Sequence, residues 1–333
     1  MTYPRRKFPF TRLRRSRMKK FSRKMISEHV LTVDDIIWPV FLVEGTNNLE
    51  NIDAMPNVHR YSIDVLLGTL EDLINLGLNS VALFPYIEHD LKDQDGSLAC
   101  DPGNLVCRAI KAIKNEYPQL GIICDIALDP FTIHGHDGII INGNIDNDLT
   151  LQKLNKQALV YAAAGCDILA PSDMMDGRVG SMRNSLEENS FKDTMIMSYA
   201  AKYASSFYGP FRNAIGSGKL VEPKNKKSYQ LDFANSNEAM HEIAIDIAEG
   251  ADMIMVKPGL PYLDIVNRAK SEFKIPTLVY QVSGEYSMLW SAIKSGILNE
   301  EDSILESMLC FKRAGADAIF TYFAPYLLKK LNE

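Results

Sequence analysis

Nowhere do the 333 residues contain an apolar run near the roughly 20 residues a helix needs to cross a bilayer. No short apolar segment follows the N-terminal residues as a secretion signal requires. The expectation is a soluble protein of the cytoplasm with no membrane partner. Cysteine is scarce: Cys100, Cys107, Cys124, Cys166 and Cys310 are odd in number, scattered, and mostly set in apolar runs such as GIICDIAL. That excludes a disulfide framework and a cysteine zinc cluster, and reads as buried thiols in a reducing compartment. A Gly-x-Gly-x-x-Gly after the first strand-like run is also missing, which removes the main signal of a dinucleotide fold.

Acid is absent from residues 1–24, which carry eleven Lys or Arg: Arg5, Arg6, Lys7, Arg12, Arg14, Arg15, Arg17, Lys19, Lys20, Arg23 and Lys24. The remainder holds 25 basic residues against 42 acidic, a net −17. A basic arm on an acidic body can dock onto another copy of that body. Pro9, Phe10 and Leu13, interleaved with the charges, give it something to pack, so residues 1–30 read as an association arm and 31–333 as the catalytic domain. A transit peptide or a nucleic-acid tail would share the charge, but the acidic body argues against nucleic acid as a partner.

With 46% hydrophobic and 23% charged residues, the chain has material for a full core. After the arm, one pattern repeats: an apolar β-rich run, a polar loop, then apolar residues three and four apart. The strand-like runs are 37–43, 80–85, 121–128, 166–171, 194–199, 252–258, 276–282 and 317–322, eight in all. The clearest helical stretches are 64–77, 151–165, 238–250 and 303–315, and each ends in Gly before the next strand (NLGLNS, AAAGCD, AEGADM, RAGADA). Gly there supplies a left-handed C-cap. Eight αβ repeats with nearly continuous apolar strands predict an α/β fold, a (β/α)8 TIM barrel, whose catalytic groups collect at the C-terminal strand ends.

That rule directs attention to Lys257 in DMIMVKPGLPYLD, carried by an apolar strand toward a dry mouth. Burial disfavours the ammonium, and a neutral amine can attack a ketone to form a Schiff base; the bland alternative is a stem that snorkels its charge into solvent. Lys202 follows the fifth strand-like run by three residues, near enough to Lys257 for two ammonium groups to depress each other. Alone it would read as a solvated loop lysine. Asp125, Asp129 and Asp137 in DIALDPFTIHGHDG can hold a hard cation, position a substrate ammonium or move protons; otherwise they cap turns. His134 and His136 flank Gly135 with no cysteine close enough in sequence for a familiar zinc site. Arg212 in YGPFR, with Lys226 and Gln230 in KNKKSYQ, can bind a carboxylate, and Gly209, Gly216 and Gly218 make the segment between a candidate lid. Ser283 and Tyr322 sit where strands end and can bind a second carboxylate, while Ser172, Asp173 and Asp176 occupy a turn that starts a helix.

These same segments, APSDMMDGRVG, YGPFRNA, MIMVKPGLPYLDIV, YQVSGEYSMLW and the arm's TRLRR, resemble the porphobilinogen synthase (5-aminolevulinate dehydratase) family across essentially the whole chain. The resemblance implies condensation of two 5-aminolevulinate molecules into porphobilinogen with loss of two waters, in tetrapyrrole (heme) biosynthesis. By motif match, Lys257 and Lys202 would carry the two substrates. Ser283 and Tyr322 would bind the propionate-side carboxylate, and Arg212, Lys226 and Gln230 the acetate-side one, with Ser172 beside them. Lys226 stands where some members have Arg. Asp125 and Asp137 are candidates for proton and amine handling. Where zinc-type members carry three cysteines this chain has Ala127, Asp129 and Asp137, so zinc is not expected, and Mg2+ or a monovalent cation is, with Asp129 a candidate ligand. The resemblance further implies an allosteric Mg2+ at Glu242 and a homo-octamer embraced by the arms. The rival enzyme reading is a class I Schiff-base aldolase using Lys257 alone.

Overall fold

A computed structural model describes residues 7–217 and 223–333; Arg5, Arg6 and Gly218 of the sequence reading lie outside the described residues. Eight parallel strands form the frame: β1 Ile36–Leu42, β2 Ser80–Pro85, β3 Gly121–Ile126, β4 Ile168–Pro171, β5 Met195–Lys202, β6 Met253–Lys257, β7 Thr277–Tyr280 and β8 Ala318–Phe320. They pair in chain order, and β8 closes on β1 through Ile36 opposite Ile319 and Ile37 opposite Phe320. Every residue of β1 and of β7 is buried, as strands covered on both faces require. The barrel is thus the one the sequence predicts.

The helices 63–75, 147–164, 237–248 and 300–314 lie where the apolar spacing puts them. Gly77, Gly165, Gly250 and Gly315 after them all take positive φ, between 91° and 115°, so the repeated C-cap is real and an L side chain there would be strained. The second helix begins ahead of its apolar pattern because the Asp146 side chain accepts the Leu149 N–H at 2.9 Å, an N-cap inside a polar stretch. Just before it, Ile139–Ile141 and Asn144–Asp146 form a hairpin across Asn142-Gly143, both with positive φ, which periodicity does not reveal.

One boundary matters for the site. The fifth strand runs on through Lys202 and does not stop at Tyr199, so Lys202 is a strand residue and no longer a loop residue. Its Cα pairs directly with that of Lys257.

Candidate active site

The C-terminal mouth of the barrel gathers Asp125, Asp129, Ser172, Lys202, Arg212, Lys226, Gln230 and Lys257 around one cavity, with Tyr208 and Phe211 completing its wall. The cavity measures about 30 Å³, room for little more than water. It is small because side chains already fill the mouth. Phe211 packs on Phe41 and Phe84 at ring distances of 5.7 and 5.4 Å and covers Lys257.

Lys257 is 5% exposed, and its Nζ lies 4.4 Å from the Tyr280 ring centre, 4.9 Å from Tyr199, 5.0 Å from Phe211 and 5.6 Å from Tyr208. Burial, then the nearby Lys202 ammonium, push its pKa down to about 7 against the pull of Asp125, Asp129 and Asp137. An appreciable fraction is therefore neutral near pH 7, the form that attacks a carbonyl. The snorkelling alternative fails, since the side chain is buried with its amine among those rings.

Lys202 is equally buried but differently held. Its ammonium donates to Asp137 Oδ1 at 3.2 Å, to Ser172 Oγ at 3.4 Å and to the Ser172 carbonyl. Lys226, 9% exposed, lies 2.6 Å from Asp137 Oδ2 and 3.2 Å from Asp129 Oδ2. Burial would raise the Asp137 carboxyl, yet Lys202 and Lys226 together hold it well below the usual carboxylate range. Tyr229 adds an O–H donated to Asp137 Oδ2 at 2.9 Å. Asp125 differs: burial raises it to about 6 even with Lys202 and Lys257 nearby, and its Oδ1 has no hydrogen-bond partner among the described residues. It is poised to gain or lose a proton near neutral pH.

Three lysines and three carboxylates thus share the mouth, and the Lys226 ammonium stands between Asp129 and Asp137, where a cation would go. Among the described residues, no group of three His, Cys, Asp or Glu side chains forms a metal set. His134 and His136 serve the loops instead: His134 Nε2 meets the Gln94 carbonyl at 3.0 Å, and His136 meets Tyr229 Oη at 2.9 Å and the Pro223 carbonyl at 2.7 Å.

Ser283 and Tyr322 do not line this cavity. Ser283 opens the helix 283–294, and its Oγ accepts the Phe211 N–H at 2.9 Å. Tyr322 shares a hydrogen bond with Tyr280, Oη to Oη 2.9 Å, and stacks on Phe41. Ser283 is thus tied to the backbone of the short helix Gly209–Ala214, and Tyr322 packs on Phe41, which itself touches Phe211. Glu242 does not line the mouth cavity. It lines a separate cavity with Asp176 and Glu238, and burial there raises its carboxyl.

Residues 10–330 match the family described as delta-aminolevulinic acid dehydratase. The chain belongs to that family. It is 54% identical over 321 residues to the delta-aminolevulinic acid dehydratase of Bradyrhizobium diazoefficiens, covering 96% of this chain and 91% of that one. Identity to the Rhodobacter capsulatus enzyme of the same name is 47%, with 98% of each chain covered. The porphobilinogen synthase of Toxoplasma gondii, solved with its reaction product porphobilinogen, superposes with a TM-score of 0.94 at 42% identity, covering 96% of this chain and 91% of that chain. A lyase of the delta-aminolevulinic acid dehydratase family is therefore at hand, and the single-lysine aldolase reading is set aside.

Several groups of this dehydratase mouth carry no role in the sequence reading. Tyr199, Tyr208 and Tyr280 form the ring cage of Lys257, and Tyr229 links Asp137 to His136. Tyr199 and Tyr280 look like ordinary strand aromatics; only the barrel rule, applied to aromatics as well as to charges, would have found them.

Proposed function

We propose that this chain condenses two molecules of 5-aminolevulinate into porphobilinogen with loss of two waters, using Lys257 and Lys202 as Schiff-base amines. The observation that carries it is the register pairing of two buried lysines at the C-terminal mouth of a barrel of this family. Two keto substrates need two amines, and each amine that attacks a ketone releases one water as the imine forms. Lys257 has the desolvated amine for the first attack. Lys202, anchored on Asp137 and Ser172, serves the second substrate. Loss of a proton beside one imine carbon gives an enamine whose carbon attacks the imine carbon of the other substrate, and the enzyme amine on that carbon then leaves by elimination with loss of a neighbouring proton. The free substrate amine attacks the remaining imine carbon, forms the carbon-nitrogen bond and displaces the second enzyme amine. Asp125, unpartnered on one oxygen and near its midpoint at neutral pH, suits the proton transfers.

Arg212, Lys226 and Gln230 offer a substrate carboxylate its donors at the cavity rim, while the hydroxyls of Ser283 and Tyr322 suit the other carboxylate. The subtype is the one without zinc cysteines. Ala127, Asp129 and Asp137 occupy the loop, and its two carboxylates already meet Lys226. That arrangement does not fit a resident cation between them. Mg2+ belongs instead at Glu242, whose cavity also holds Asp176 and Glu238. A hydrated Mg2+ needs only one or two carboxylates there and would offset their mutual repulsion. Association of the basic arms with neighbouring acidic barrels, in a cytoplasmic octamer, completes the reading; Phe8, Phe10 and Leu13 are 73%, 80% and 77% exposed in one chain.

The test is turnover of 5-aminolevulinate by metal-stripped protein with Mg2+ or Zn2+ added back, and Lys257→Ala as control. Porphobilinogen formed with Mg2+ and absent in the variant is expected. Restoration by Zn2+ alone would overturn the metal assignment, and no product with either ion would overturn the reaction.

A further inference from the structure

We propose that Glu285 is a positioning residue that fixes the span between Lys257 and Ser283, and so selects the chain length of the keto acid held between them. The proposal rests on the proposed readings of Lys257 as a Schiff-base amine and of Ser283 as a carboxylate donor. Glu285 is 1% exposed. Its Oε1 accepts the Leu260 N–H at 2.6 Å, and its Oε2 accepts the Gly259 N–H at 3.2 Å and the Val282 N–H at 2.8 Å. Gly259 and Leu260 belong to the turn that follows Lys257, and Val282 immediately precedes Ser283. One carboxylate therefore ties together the two loops that present the amine and the hydroxyl.

An ordinary helix cap does not account for this. A glutamate at the third helical position reaches back to the N–H of its own cap residue, here Val282, and needs nothing else. The reciprocal half of such a box is absent, since a valine side chain has no acceptor. The other two donors come from a different loop, beyond a different strand. Burial also pushes the Glu285 carboxyl up to about 7 against the pull of its three amides, a cost that capping alone does not require.

The rest of the span is equally fixed. The Lys257 carbonyl accepts the Tyr203 N–H at 3.0 Å and the Tyr208 hydroxyl at 3.1 Å, so the backbone that aims the amine is held on both sides. Gly284 closes the other end: a Cβ there would stand 2.4 Å from the Phe207 carbonyl, so the start of the helix seats directly on the turn that precedes the helix Gly209–Ala214. Glu285 is the group that joins these two fixed halves. A substrate whose ketone reaches Lys257 and whose carboxylate reaches Ser283 is measured against that join.

The experiment reads borohydride trapping of two probe acids on Lys257, located by peptide mass spectrometry. One probe is 4-oxopentanoate, the substrate without its amine; the other is 5-oxohexanoate, one methylene longer. Acetone, which has no carboxylate, controls for amine reactivity. The intact enzyme should favour the shorter acid by about tenfold or more, the discrimination a fitted pocket gives for one methylene. In Glu285→Gln one oxygen becomes an NH2 facing a backbone N–H, so the two loops part. The preference should fall to roughly twofold or less, while acetone traps at the unaltered rate. A preserved preference would overturn the proposal and leave Glu285 a structural group. No adduct on Lys257 of the unaltered enzyme with any of the three ketones would overturn the Schiff-base reading itself. Should the Gln variant fail to fold, Glu285→Asp, charged but one methylene short, is read in the same way. A changed preference supports the span and an unchanged one overturns it.

Discussion

Lys202 and Lys257 are direct register partners on neighbouring parallel strands, yet the two amines have opposite surroundings. Lys202 donates to Asp137 and Ser172, whereas Lys257 faces four aromatic rings. Strand geometry places their backbones about 4.8 Å apart, and the difference in chemistry comes wholly from what each side chain meets. One amine is anchored on a carboxylate and a serine, while the other is desolvated among rings and has its pKa lowered to about 7.

The pH dependence of trapping at Lys257 follows from that difference. Its pKa is lowered to about 7, so the neutral fraction, and with it the rate of imine formation with a simple ketone, should rise as pH climbs through 7 and level off above about 8. Peptide-resolved borohydride trapping across pH 5.5 to 9, about the range in which such a midpoint shows, checks this. A rate still rising steeply beyond about pH 9.5, toward the ordinary lysine pKa, would refute the desolvated amine.

Stability should carry the opposite mark of the same group. A lysine depressed in the fold is charged in both folded and unfolded chains below about pH 7, where the buried ammonium costs most. Between about 7 and 10.5 the folded form is neutral while the unfolded form still binds a proton, so stability attributable to Lys257 grows with pH across that window. Lys257→Met should therefore raise Tm at pH 6 and raise it less at pH 9, while abolishing turnover. Paired thermal melts decide; an equal shift at both pH values contradicts the linkage.

How much of this was legible follows from what each residue announces in sequence. The barrel was, because eight apolar runs and the glycines at 77, 165, 250 and 315 repeat with the αβ period. Lys257 was, because a lysine ending an apolar run is an anomaly. Lys202 reads in sequence as a loop residue because Ala200, Ala201 and Lys202 lack the β-branched residues that advertise a strand; pairing with the sixth strand extends the fifth regardless. Glu285 and Tyr229 were illegible, since a glutamate after Ser-Gly and a tyrosine in a lysine-rich loop look solvated until other loops fold onto them.

Asp137 neutralises two buried ammonium groups, and its loss should show in both stability and rate. Asp137→Asn leaves Lys202 and Lys226 without their shared anion, an uncompensated charge that costs about 3–5 kcal/mol. Urea unfolding of the variant measures that loss. Turnover should fall at least about a hundredfold, because Lys202 loses the carboxylate that aims its amine. Near-normal turnover would remove Asp137 from the chemistry and leave it a structural counter-ion.

Arg60 offers a way to disturb the lid without touching the mouth. It reaches from the short strand His59–Tyr61, which pairs with β1, to the C-terminal end of the helix Gly209–Ala214, donating to the Asn213 and Ala214 carbonyls at 2.7 Å each. Glu50 at 3.1 Å and the Tyr86 ring at 4.2 Å hold the guanidinium in place. Two charge-assisted bonds at a helix C-terminus stabilise the closed position of Phe211 and Arg212. In Arg60→Ala the helix should stay open more of the time, weakening the hold on substrate while leaving the two lysines untouched. KM should rise roughly tenfold, equivalent to about 1.4 kcal/mol, with kcat lowered much less. Acetone trapping at Lys257 should be undiminished in the same variant. A fall in kcat matching the fall in kcat/KM, with KM unchanged, would instead mean that Arg60 acts on the transition state and that the lid helix is not what it controls.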